Sequence, residues 1–181
     1  RIAAAALADT IDAVTACRAV SRTLVLDGAH PVPLGWRSRP QCGAGLPERL
    51  SRAYVDGPSL LVGMDTPQLT ADLLDAATNR LGHADAVLGP AADGGWWALG
   101  LRNPAHAAVL RRIPTSTATT GADTLAALRL LGLRVELLPE LSDVDTMADA
   151  GAVVALCPPT GRFPAVLARI TAAAPVAGGV R

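Results

Sequence analysis

Residues 60–70 read LLVGMDTPQLT, an apolar run that stops at a carboxylate followed by a proline. Strands of a parallel α/β sheet are covered on both faces and read as continuous apolar runs, and ligands bind beyond their carboxyl ends. The segment therefore predicts a buried strand that delivers Asp65 to the edge of a sheet. A second interpretation stays open at this point: Asp65 or Thr66 caps a helix that begins near Pro67.

The rest of the chain alternates between helical and strand patterns, which is typical of an α/β fold built from βαβ units. We expect a single domain with a mainly parallel, Rossmann-like sheet flanked by helices. Residues 28–45 are rich in Gly and Pro and predict a loop or flap, and residues 172–181 predict a loose tail. Strands are predicted at 22–26, 60–65, 84–88, 96–101 and 134–138, and helices at 2–19, 46–54, 67–80, 105–112, 122–131, 147–156 and 163–170.

The composition excludes several classes of function. The chain has 181 residues, of which 50% are hydrophobic, and its net charge is zero, so no general field attracts nucleic acid or an anionic membrane. All 16 basic residues are Arg, which excludes a Lys nucleophile. No apolar run approaches the ~20 residues that span a bilayer, and no signal peptide is recognisable, so we expect a cytoplasmic protein.

A second group of candidate residues lies in the segment 89–97, which reads GPAADGGWW. A predicted strand ends here at a loop that carries Asp93, and the glycines beside it allow a ligand to approach the backbone closely. Trp96 and Trp97 are adjacent in a predicted strand and should point to opposite faces, so that one packs inward and the other flanks a pocket. The alternative is a tight turn in which Asp93 binds its own backbone.

A third group, the segment 142–146, reads SDVDT and follows the predicted strand at 134–138. Asp143 and Asp145 are candidates to join Asp65 around a divalent cation, because Mg²⁺ binds carboxylate oxygens together with phosphate oxygens. The alternative is that Asp145 or Thr146 caps the next helix.

Two weaker signals complete the set. Residues 41–49, QCGAGLPER, form a glycine-containing loop that leads into a helix N-terminus and is suited to binding a phosphate. Residues 115–121 form a hydroxyl-rich loop before a helix, suited either to capping or to hydrogen bonds with sugar or phosphate oxygens.

Together these motifs resemble a bacterial family of GT-A-like transferases. Members are labelled glycosyltransferase or selenodomain-associated transferase and are kin to the molybdenum-cofactor and phospholactate guanylyltransferases. The resemblance rests, in chain order, on the helix around Asp9, residues 41–49, residues 62–69, residues 89–95, Ser116 with Thr117, and residues 143–146.

The resemblance implies a nucleotide-diphospho-sugar transferase (GT-A) fold and assigns roles to residues. Asp65 corresponds to a metal-binding acid, and Asp93 with its glycines corresponds to part of the donor-sugar or acceptor site. Our own hypothesis adds Asp143 and Asp145 as further metal ligands and makes Asp93 the candidate catalytic residue, which acts as a base or positions the acceptor. Substrate-binding residues are expected at Gln41, Gly43, Gly45, Arg49, Gly94, Gly95, Trp96, Ser116 and Thr117.

The function implied is that of a metal-dependent glycosyltransferase that uses Mg²⁺ or Mn²⁺, a nucleotide-diphospho-sugar donor and a small-molecule acceptor. The alternatives are a nucleotidyltransferase that attacks a nucleoside triphosphate and releases pyrophosphate, and a non-catalytic sugar-nucleotide binding protein. Similar proteins begin with a strand and a basic, glycine-containing phosphate loop, so we expect residues 1–181 to form one GT-A-like domain that lacks these two elements in this numbering.

Overall fold

A computed structural model describes residues 1–173 and shows an α/β architecture. The helices are α1 Ile2–Ala16, α2 Leu46–Ala53, α3 Ala71–Leu81, α4 Thr120–Leu130, α5 Met147–Val153 and α6 Arg162–Ala173. Short 3-10 helices span Pro104–Arg112 and Val154–Leu156. The strands are β1 Thr23–Leu26, β2 Arg37–Pro40, β3 Ser59–Val62, β4 Ala86–Pro90, β5 Trp96–Leu101 and β6 Val135–Leu137.

The main sheet has the strand order β3-β5-β4-β6. Strand β5 is antiparallel to both β3 and β4, whereas β4 and β6 are parallel. Strands β3, β4 and β6 therefore run in one direction, and their carboxyl ends lie at one edge of the sheet. The other two strands, β1 and β2, form a separate parallel pair.

The expected mainly parallel sheet is thus a mixed one. Strand β5 was predicted at its observed position, but its direction was not foreseen. The chain between β4 and β5 is only a short turn, and a short turn reverses direction, whereas parallel neighbours need a crossover of about a dozen residues or more.

Other predicted boundaries need correction. Helix α3 begins at Ala71 and not near Pro67, because Thr70 is its N-cap and its hydroxyl accepts a hydrogen bond from the Leu73 amide at 3.2 Å. Residues 66–69 instead form a turn closed by the Leu69 amide and the Thr66 carbonyl at 3.1 Å. The interpretation of Asp65 or Thr66 as a helix cap is therefore wrong, which leaves the Asp65 carboxylate available to a ligand.

The expected loop at 28–45 contains strand β2. All four of its residues are exposed, and it is held by backbone pairing to β1, so it lacks the apolar pattern by which strands are recognised in a sequence. The helix expected at 147–156 is divided into α5 and a 3-10 turn. Of the tail expected at 172–181, the first two residues belong to α6 and the remainder lies outside the described residues.

Apolar side chains pack on both faces of the main sheet. One buried cluster joins α1 and α3 to the sheet around Leu74, Val87 and Trp97, and the other joins α2, α4 and the 3-10 helix Pro104–Arg112 around Leu88, Leu99 and Leu128. A third cluster packs α1, α5 and α6 together. In residues 1–173 no helix is both long and apolar enough to cross a membrane.

Helix α6 is fixed to α1 by Asp9. One oxygen of the Asp9 carboxylate accepts from the Arg162 amide and the other from the Phe163 amide, each at 2.8 Å. These amides lie in the first turn of α6, where they have no partner within the helix. Asp9 belongs to the first segment on which the family resemblance rests, and its role in the structure is to join α6 to α1.

A matched pair of Leu→Ala substitutions tests the core. Leu99 is fully buried in the centre of the sheet, whereas Leu130 is 88% exposed on α4. Leu99→Ala should lower the free energy of unfolding by about 2–5 kcal/mol, because it removes buried methyl groups and leaves a cavity. Leu130→Ala should change it by about 0.5 kcal/mol or less. Urea denaturation measures both, and equal effects would contradict the described core.

Candidate functional site

Backbone pairing continues beyond β4 and β6 and brings two acidic loops together. The Leu141 amide donates to the Pro90 carbonyl at 3.1 Å, and the Ala92 amide donates to the Leu141 carbonyl at 2.9 Å. Asp93 and Asp143 each lie two residues beyond the resulting Ala91–Leu141 bridge. The two carboxylates are therefore neighbours.

The segment after β3 is tied to the same place. The Val144 amide donates to the backbone oxygen of Asp65 at 3.0 Å. The side-chain amide of Gln68 donates to the Ser142 carbonyl at 2.6 Å. Two hydrogen bonds thus anchor residues 142–144 beside the end of β3.

The result is a cluster of carboxylates at the edge where β3, β4 and β6 end. Carboxylate oxygens of Asp93, Asp143 and Asp145 all lie within 4.8 Å of one another. Asp143 is half-buried and the other two are exposed. Hard oxygen donors at this spacing suit Mg²⁺ or Mn²⁺. Asp65 borders this trio from the side of β3.

The charges of these acids disfavour one another. Burial raises the pKa of Asp65, and the negative charges of Asp145 and Asp93 raise it further. The pKa of Asp143 is likewise raised, first by burial and then by Asp93, Asp145 and Asp65. A bound cation would reverse this repulsion.

Helix α5 leaves Asp145 free for the site. The Thr146 hydroxyl accepts from the Asp149 amide at 3.2 Å, and the Asp149 carboxylate accepts from the Thr146 amide at 2.7 Å. This capping box satisfies the helix start without Asp145. Of the two alternatives for the cap, Thr146 is the correct one.

A cavity of about 230 Å³ opens beside the acids. Asp65 and Asp145 border it together with Met64 and residues 146–147, and the first two turns of α1 form its other wall through Ile2, Ala3 and Ala6. Sequence reasoning missed these wall residues, because small apolar side chains give no chemical signal.

The Asp93 loop is a tight turn. The Gly95 amide donates to the Asp93 carboxylate at 2.7 Å, so the alternative proposed for this segment is also present. Gly94 has φ +91°, and a Cβ there would lie 2.0 Å from the Ala118 carbonyl oxygen. Only glycine fits, because the loop at 115–121 packs directly on Gly94.

That packing places Ser116 and Thr117 near the Asp93 loop. The Thr117 amide donates to the Thr120 hydroxyl at 3.2 Å, and the Thr117 hydroxyl lies within 3.3 Å of the Thr119 hydroxyl. Ser116 adopts φ 60°, which is unusual for a residue with a side chain. The hydroxyls of Thr117 and its neighbours thus bind one another at the start of α4.

The two adjacent tryptophans point to opposite faces, as predicted. Trp97 is buried in the α1/α3 cluster and donates to the Pro139 carbonyl at 3.0 Å, whereas Trp96 is half-buried against the opposite cluster. Gly89 pairs with Ala98 and Pro90 with Trp96, so the chain bulges at Trp97. Trp96 does not line the cavity beside Asp65.

The loop at 41–49 lies apart from this cavity, and none of its residues borders it. The Arg49 guanidinium pairs with Asp27 at 2.5 Å. The Gln41 amide extends the β1–β2 pairing by donating to the Leu26 carbonyl at 2.7 Å. Gly43 has φ +141°, which favours glycine, whereas Gly45 is the extended N-cap of α2.

Residues 2–117 match a family described as "Uncharacterized protein conserved in bacteria (DUF2064)". The chain belongs to this family. The matched range includes Asp65 and Asp93 but ends before Asp143 and Asp145.

A solved structure has the same fold over almost the whole chain. It is a protein from Desulfovibrio desulfuricans G20 with the provisional description of a nucleotide-diphospho-sugar transferase, and it superposes with a TM-score of 0.82 at 25% sequence identity. The match covers 94% of this chain and 82% of the other. The DUF2064 chain thus has the GT-A-like α/β fold implied by its motifs. No curated protein matches it.

The raised pKa of Asp65 predicts how the stability of the metal-free protein depends on pH. A carboxyl whose pKa is higher in the folded than in the unfolded state contributes stability that is present below the ordinary value of about 3.9 and is lost as pH rises through the folded value. In the presence of chelator, Asp65→Asn should therefore raise the urea midpoint at pH 7. The gain over the parent should shrink as the pH is lowered toward 4.

Asp56→Asn is the matched control, because Asp56 is exposed in the turn before β3. Its effect on the urea midpoint should not change in the same way with pH. A gain for Asp65→Asn that is the same at pH 4 and pH 7 would contradict the described environment of Asp65.

Proposed function

We propose that the chain is a metal-dependent glycosyltransferase that uses a nucleotide-diphospho-sugar donor. The observation that carries the proposal is the group of three strand-end carboxylates within 4.8 Å, set beside a cavity that Asp65 and Asp145 border. A diphosphate needs positive charge, which a divalent cation bound by these carboxylates would supply.

The donor set fits a hard divalent cation. Asp143 and Asp145 were expected as ligands from the sequence, and their carboxylates lie next to each other and to Asp93. Asp93 is also held by the Gly95 amide, which fixes its orientation. We therefore propose Asp93, which the sequence analysis named as the candidate catalytic residue, as a further metal ligand. Asp65, which follows β3, is proposed to belong to the same metal site.

Hydrogen bonds within the chain position the acid site. The hydrogen bonds that tie residues 142–144 to the end of β3 hold the carboxylates in place before substrate binds. A divalent cation bound by the carboxylates supplies charge that stabilises the diphosphate leaving group.

The similarity to the Desulfovibrio protein supports a transferase role, and the description of that protein supports a nucleotide-sugar as the substrate. The acceptor is proposed to be a small molecule.

Calorimetric titration with Mn²⁺ tests the metal site. Asp143→Asn should weaken Mn²⁺ binding by about tenfold or more, since even outer groups around a metal contribute on this scale. Asp56→Asn should bind Mn²⁺ like the parent, because this exposed carboxylate lies in the turn before β3. Equal affinity in the Asp143 variant and the parent would refute the assigned ligands.

The products of the reaction test the function. With UDP- or GDP-sugars and Mn²⁺, the protein should release nucleoside diphosphate, and Asp143→Asn should slow the release by about a hundredfold or more, as when one electrostatic contact to a developing charge is removed. Release of pyrophosphate from a nucleoside triphosphate would instead identify a nucleotidyltransferase. Binding of a sugar nucleotide without release of either product, in the presence of candidate acceptors, would indicate a non-catalytic binder.

A further inference from the structure

A second cavity, of about 430 Å³, lies between the end of β2, the second half of α2 and the 3-10 helix Pro104–Arg112. It shares no lining residue with the cavity beside Asp65. Its volume falls within the range of about 300–1,000 Å³ that is common for small-molecule sites. None of its features is used by the proposed glycosyltransferase reaction.

Three arginines line this cavity, and no acidic residue does. They are Arg39 of β2, Arg52 of α2 and Arg111 of the 3-10 helix. In a chain whose net charge is zero, this is a local concentration of positive charge. The three arginines belong to elements that are distant in sequence. Folding therefore brings together positive charges that repel one another.

Glu48 pairs with only one of the three arginines. One Glu48 oxygen pairs with Arg52 at 2.5 Å, and the other accepts from the Ala44 amide at 2.9 Å. Arg111 also lowers the pKa of Glu48, after the larger effects of Ala44 and Arg52, so Arg111 lies within electrostatic reach of α2. Within residues 1–173 neither Arg39 nor Arg111 forms an ion pair.

The cavity also offers a serine and apolar surface. Ser51 lines it and is only 6% exposed. Pro40, Val55, Pro104 and Ala108 contribute apolar surface. The lining thus combines a donor for an oxygen ligand, positive charge and a surface for a nonpolar group.

We propose that this cavity binds a small phosphorylated molecule with an apolar portion. Guanidinium groups pair with phosphate through two parallel hydrogen bonds, and the double charge of a phosphate monoester offsets the two unpaired arginines better than a single carboxylate does. The apolar portion packs against the proline and aliphatic side chains. The site is independent of the acid cluster and requires no metal.

Calorimetry with phenyl phosphate in the presence of chelator tests the proposal, since this probe joins a phosphate to an apolar ring. Arg111→Gln should weaken binding by about tenfold or more, the loss expected for one charge-assisted hydrogen bond. The matched control is Arg112→Gln, because Arg112 is exposed on the same 3-10 helix but does not line the cavity. Arg112→Gln and Asp143→Asn should both bind phenyl phosphate like the parent.

The reactivity of Cys42 tests whether phenyl phosphate binds in this cavity. Cys42 lines the cavity and is exposed, whereas Cys17 and Cys157 are only 5% and 8% exposed. Phenyl phosphate should slow the reaction of Cys42 with a thiol reagent, and phenol or chloride at equal ionic strength should not. Cys42→Ser should remove the fast-reacting thiol, which confirms the source of the signal.

Three results would overturn the proposal: no heat of binding with the folded parent, equal weakening by Arg111→Gln and Arg112→Gln, or tighter binding in Asp143→Asn. The last result would place the phosphate beside the acid site, because without a cation the Asp143 carboxylate repels it. Failure of Mn²⁺ binding or of sugar-nucleotide turnover would leave this proposal intact, so the two sites are tested separately.

Discussion

Backbone hydrogen bonds between the ends of three strands are the constraint on which the acid site depends. Leu141 pairs with Pro90 and Ala92, and Val144 pairs with Asp65, so the loops after β3, β4 and β6 are joined beyond the sheet itself. Four carboxylates on unrestrained loops would move apart, because like charges repel. The peptide groups hold them together at a cost that the apolar core offsets.

That cost is visible in the raised pKa of Asp65 and of Asp143. Repulsive groups that a fold holds together are typical of functional sites, where stability is given up for binding or catalysis. The same reasoning applies to the three-arginine cavity, which gathers positive charge on another part of the molecule. Each cavity is suited to a ligand of complementary charge.

Much of the secondary structure could be predicted from local patterns. The apolar runs located β3, β4 and β5, and the helical periodicity located α1, α2 and α4. Strand β2 was missed because all of its residues are exposed, and the start of α3 was misplaced because Asp, Thr and Pro near residue 67 imitate a capping signal. In both places hydrogen bonds determine the secondary structure, and the pattern of apolar and polar side chains does not show these bonds.

The sequence by itself determined the fold class and the residues that follow the strands. An apolar run must be buried, and a carboxylate directly after it must emerge at the sheet edge, so Asp65, Asp93, Asp143 and Asp145 were identifiable as candidates. Tertiary structure decided which of these lie closest, the antiparallel direction of β5, and the meeting of Arg39, Arg52 and Arg111. Distances between segments far apart in the chain depend on strand register and packing, which local patterns do not encode.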